Sequence, residues 1–81
     1  PMIKRFELED GLLLACACDS TLCGQVAVSW KYGRPPKAVV MTMDQPDAQP
    51  LTDISVETID GTPCALLSLP HSEMAVIVLR I

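Results

Sequence analysis

Short apolar runs alternate with polar turns along the whole chain. Met2 to Leu8 reads as a first strand, with Met2, Phe6 and Leu8 on one side and Ile3, Arg5 and Glu7 on the other. Asp10-Gly11 predicts a tight turn, because Gly adopts positive φ without steric cost. Leu12 to Cys18 is apolar on both sides, so it is a central strand or a buried helix capped by Asp10 and ended by Gly24. The strand is preferred, because no polar side appears before the loop Asp19-Ser20-Thr21.

Gln25 to Lys31 alternates, with Val26, Val28 and Trp30 opposed to Gln25, Ser29 and Lys31, as a half-buried strand does. Tyr32-Gly33-Arg34-Pro35-Pro36 interrupts it, since consecutive prolines cannot donate to a ladder. Lys37 to Met43 follows, with Val39, Met41 and Met43 on one side, and Asp44 to Pro50 reads as a loop. In Thr52 to Thr58, Ile54 and Val56 oppose Asp53, Ser55 and Glu57. Asp60-Gly61 marks a hairpin into Cys64 to Leu69. Pro70-His71-Ser72-Glu73 turns the chain into a last strand, Met74 to Ile81. Six to seven short strands with tight turns predict an all-β fold, an antiparallel sandwich or small barrel. The alternative is an α+β fold with one helix near residues 12–23.

Composition supports one domain over residues 1–81, with 49% hydrophobic residues but only three aromatics, Phe6, Trp30 and Tyr32. The core must therefore be aliphatic. A net charge of −4 disfavours nucleic acid, whose phosphates need a basic surface. Pro1 to Arg5 leads into no apolar signal core, and no run reaches the ~20 residues of a membrane helix. A soluble, cytoplasmic protein is expected. Cys16, Cys18 and Cys64 lie in apolar runs, where reduced thiols pack as small hydrophobes. A Cys23–Cys64 disulfide is a further option.

Candidate chemistry is sparse. His71 is the only histidine and follows a proline in a turn, with no Ser or Cys placed to use it. Cys16, Cys18 and Cys23 make a C-x-C-x4-C pattern without the second close pair that a structural zinc site shows. Asp44, Asp47 and Asp53 lack EF-hand spacing. No metal or cofactor is predicted. The segment Lys31-Tyr32-Gly33-Arg34-Pro35-Pro36-Lys37 holds three of the six basic residues, an aromatic and a diproline. It reads as a contact loop, with Lys31, Tyr32, Arg34 and Lys37 as partner-binding residues; a solvated connection is the plainer reading.

Two resemblances bear on function. The opening Pro1-Met2-Ile3-Lys4-Arg5-Phe6-Glu7-Leu8-Glu9 resembles the start of the tautomerase superfamily. That resemblance implies an enzyme with the Pro1 amine as general base, on a leading strand followed by a long amphipathic helix. A tag remnant is the plainer reading of Pro1. The segment Leu67 to Arg80, with Leu69-Pro70 and Ala75-Val76-Ile77-Val78-Leu79, is similar to the closing strand of the small C-terminal β-sandwich domain of glycoside hydrolases. It implies a non-catalytic accessory domain that packs on a larger one. The expectation is a non-enzymatic binding module. It would act through loops and a sheet edge on a protein partner, as a small inhibitor or adaptor, or as an accessory domain. The runner-up is the Pro1 enzyme.

Overall fold

The computed structural model describes residues 2–17, 24–68 and 74–81. Pro1, Cys18, Cys23, His71, the Asp19–Thr21 loop and the Pro70–Glu73 turn lie outside them. The described residues form eight strands and no helix: β1 (Met2–Leu8), β2 (Gly11–Ala17), β3 (Gln25–Ser29), β4 (Lys37–Thr42), β5 (Gln49–Leu51), β6 (Ser55–Ile59), β7 (Thr62–Ser68) and β8 (Met74–Arg80). They make two antiparallel sheets, one of order β1-β2-β8-β4-β5 and one of order β3-β7-β6. The architecture is an open sandwich, not a closed barrel.

Leu12 to Ala17 is strand, despite the helix preference of Leu and Ala. It pairs with β1 on one side and β8 on the other over its whole length, so packing overrides propensity. The stretch expected to be a loop hides β5, whose Pro50 stands opposite Val39. Proline is tolerated there because β5 is an edge strand, with no outer neighbour to receive its missing N–H.

Both hairpin turns differ in how they use glycine. Asp60 and Gly61 have φ of 51° and 80°, the left-handed pair that a two-residue hairpin needs. At the first hairpin the turn is Glu9-Asp10, and Gly11 already belongs to β2, opposite Leu8. Its requirement is close approach, since a Cβ there would drive into the Leu79 carbonyl.

The core lies between the sheets. The five-stranded sheet contributes Leu12, Leu14, Cys16, Ala38, Val40, Ala75, Ile77 and Leu79; the other contributes Val28, Ala65 and Leu67. Trp30, 1% exposed, is the largest buried side chain. Its backbone N–H donates to the Pro63 carbonyl at 3.0 Å and its indole N–H to the Arg34 carbonyl at 2.8 Å. The buried indole therefore keeps its one donor satisfied.

Candidate docking surface

Side chains alternate across a strand, and paired residues share a face. The register therefore sorts every position of the five-stranded sheet. The inner face carries rows such as Arg5–Leu14–Ile77–Val40–Gln49. The outer face carries Phe6–Leu13–Val78–Val39–Pro50 as its central row. The next row is Lys4–Ala15–Val76–Met41, and Ala17 and Met74 pair below it. At the other end stand Leu8, Gly11, Arg80 and Lys37.

This outer face is apolar over five strands, and no described element covers it. Phe6 is 51% exposed and Met74 58% exposed; Met43, just past β4, is 66% exposed. Strand spacing of about 4.8 Å and a rise of about 3.3 Å per residue give a face roughly 20 Å square, or about 400 Å² in projection. That is within the ~300–600 Å² of the largest patch on a typical monomer, which is often functional. The opposite sheet is different. Its outer face carries Gln25, Ser29, Ser55, Glu57, Thr62 and Ser68 around Ala27, Cys64 and Leu66, with Ile59, 39% exposed, at the β6–β7 turn.

Two hollows indent the apolar face. One, about 420 Å³, lies between β4, β5 and the end of β8 and is lined by Lys37, Val39, Pro50, Val78, Arg80 and Ile81, among others. The second, about 250 Å³, is lined by Met41, Met43, Pro46, Met74 and Val76, among others. The unbranched Met side chains there can re-pack around a contact.

The charges of the face are all basic. Arg80 is neutralised, its Nη1 donating to both Asp10 carboxylate oxygens at 2.9 and 3.0 Å. Lys4 and Lys37 form no ion pair among the described residues. Exposed carboxylates sit at the remaining corners: Glu9 in the β1–β2 turn, and Asp44 and Asp47 in the β4–β5 connection.

Of the residues expected to form one contact loop, Lys31 and Lys37 line different hollows. Trp30 and Tyr32 stack edge to face with centroids 4.8 Å apart, and Lys31 Nζ lies 5.7 Å from the Tyr32 ring centre. Tyr32 is half-buried against the core and Pro36 is buried, so the loop is partly a plug between the sheets. Lys31 lines a groove of about 190 Å³ with Arg5, Glu7, Ser29 and Pro63, where Arg5 Nε and Glu7 Oε1 pair at 3.2 Å. Arg34 is exposed, and Gly33 turns the chain with φ of 78°. Lys37 instead begins β4, opposite Arg80 on the apolar face.

Sequence reasoning missed that face. The signal was present in β2, β4 and β8, which are apolar on both sides; such strands belong between two layers. Cys64 is a buried, unbridged thiol whose Sγ contacts the Thr62 carbonyl at 3.4 Å, which removes the disulfide option for it. Among the described residues, no group of three His, Cys, Asp or Glu could hold a metal, and no helix is long and apolar enough to cross a membrane. The chain matches no protein-family model, and comparison with curated proteins and with solved structures returns no significant match.

Proposed function

We propose that this domain is a non-enzymatic interaction module that binds a protein surface with the outer face of its five-stranded sheet. The observation that carries the reading is the uncovered row Phe6–Leu13–Val78–Val39–Pro50 and the apolar rows beside it. Burying apolar area is favourable by roughly 25 cal/mol per Å², so a face of this size repels water and attracts a partner. A rigid sheet loses little conformational freedom on docking. The accessory-domain idea draws on the same face, since such a module packs against a larger domain. The enzyme reading has less support, because the long helix of the tautomerase pattern is replaced by β2.

An apolar fluorescent dye tests the surface directly. At high dilution, where associated copies separate, native protein is expected to enhance bis-anilinonaphthalene sulfonate emission, and Phe6→Asp is expected to reduce that enhancement several-fold with the circular dichroism unchanged. Dye binding that is absent at high dilution, or indifferent to Phe6 there, overturns the reading. Turnover of an enolisable 2-keto acid that vanishes on acetylating the Pro1 amine would overturn it in favour of the enzyme.

A further inference from the structure

The apolar face has a self-complementary pattern, and we infer from it that the occupant is a second copy of this chain. The inference rests on the docking-face reading above. β8 is the middle of the five strands, with β2 and β1 on one side and β4 and β5 on the other. A two-fold axis lying in the interface along β8 superposes β2 of one copy on β4 of the next, and β1 on β5. Such an interface is isologous, so each match occurs twice.

The matches are good ones. Phe6, the exposed aromatic on β1, falls opposite Pro50, at the hollow that Val39, Pro50 and Val78 help to line. Leu13 falls opposite Val39, and Val78 opposite its own copy. Small meets large in the rows below: Ala15 opposite Met41, and Ala17 opposite Met43. An aromatic knob in a pocket is the usual energetic centre of an interface.

Charge follows the same symmetry. The basic positions Lys4 and Lys37 occupy one diagonal of the face, and the acidic Glu9 and the Asp44–Asp47 connection occupy the other. Rotation about β8 brings Glu9 beside Lys37 of the second copy and Lys4 beside the second copy's Asp44–Asp47 connection. Arg80 lies near the axis, and its pairing with Asp10 removes the repulsion it would meet there. Rim pairs of this kind set register more than affinity. The same rotation keeps strand directions aligned, the common geometry for two sheets packed about 10 Å apart. The projected face is about half of the ~800 Å² of accessible surface that a standard interface buries per partner. Projecting side chains such as Phe6, Met43 and Met74 raise its accessible area above the projection.

Sedimentation equilibrium across a wide concentration range tests the proposal. The expected result is a concentration-dependent doubling of the 8.8 kDa mass. Phe6→Asp and Pro50→Glu, at knob and hollow, should each weaken the dimer at least tenfold. Both residues are exposed, so the variants remain folded. Lys37→Glu should weaken it, and Glu9→Lys in the same chain should restore it. A dimer that tolerates Phe6→Asp and Pro50→Glu overturns the proposal. A wild-type monomer that still lights the apolar dye overturns the second copy and keeps the docking face. A monomer dark to the dye overturns both. A monomer that instead pellets with phosphatidylglycerol vesicles assigns the face to a lipid surface and overturns the protein occupant.

Discussion

On the outside of the three-stranded sheet, Ser29 and Glu57 flank Cys64 across β7. On the outside of the five-stranded sheet, Phe6, Leu13, Val78, Val39 and Pro50 stand in one row. The backbone rule is the same in both, and the chemistry is opposite. In β3 and β6, apolar residues face the core and mostly polar residues face water, which is all a surface sheet needs. β2, β4 and β8 are apolar twice over. The small sheet covers one of their sides, and no described element covers the other.

The most severe way to break this comparison is to remove what holds the sheets together. Trp30→Ala deletes the largest buried side chain and a hydrogen bond to the Arg34 carbonyl. The expected cost is about 3–5 kcal/mol, a large part of the stability of a domain this size. Urea denaturation followed by circular dichroism should show a midpoint collapse, and both outer faces should lose definition together. A midpoint close to wild type would mean that the sheets are held by something other than this junction.

Matched lysines compare the faces directly. Val39→Lys and Ala27→Lys each place a charge on the outside of a strand, one per sheet. Val39→Lys should cut self-association, and dye binding at the high dilution where copies separate, at least tenfold, equivalent to about 1.4 kcal/mol. Ala27 is exposed, so Ala27→Lys should change stability by less than about 0.5 kcal/mol and leave both readouts unaltered. Equal responses from the two variants would erase the distinction.

The strands of the three-stranded sheet were legible because burial on one side enforces a period of two, whereas β2 and β8, apolar on both sides, were legible through their short length and flanking turns. Val26, Val28 and Trp30 declared their inner face, and Asp60-Gly61 declared its turn through backbone sterics. β5 was not legible: three residues with a central proline carry no periodicity, and only the neighbouring β4 gives them a strand's partner. The turn at Gly11 was placed one residue late, because its glycine answers to the Leu79 carbonyl, a contact distant in sequence. The apolar outer face was written in β2, β4 and β8, but which side looked outward depended on the sheet order. The Lys31–Lys37 segment reads as one patch because its residues are adjacent in the chain; in the fold Lys31 lines the groove with Arg5 and Glu7, and Lys37 lines the hollow with Pro50 and Arg80.

A smaller effect separates the hairpins. Gly61→Ala meets no atom within 4 Å, so its cost is conformational alone, about 1 kcal/mol for an L residue held at φ of 80°. Thermal melting should fall by several degrees, as about 4–8 °C per kcal/mol applies to a domain of this length. Dye binding should be unchanged, because the β6–β7 turn belongs to the polar side. A loss of dye binding would show that the two faces are coupled through the core.

The gentlest perturbation is Asp10→Asn. The Asp10–Arg80 pair is exposed, with side chains 54% and 57% accessible, so its stability contribution is at most about 1 kcal/mol. The backbone bond from Ile81 N–H to the Asp10 carbonyl, at 2.9 Å, survives the change. Folding should therefore barely respond. Association should respond more, because the substitution leaves an uncompensated Arg80 near the axis, facing its counterpart in the second copy. Like charges repel there, and salt screens them, with a Debye length of about 10 Å at 0.1 M and about 3 Å at 1 M. Asp10→Asn should thus weaken the dimer at low salt and approach wild type at high salt, measured by sedimentation equilibrium at both. A deficit that persists at high salt would place the role of Asp10 in the turn's geometry, and an absent deficit would move Arg80 away from the axis.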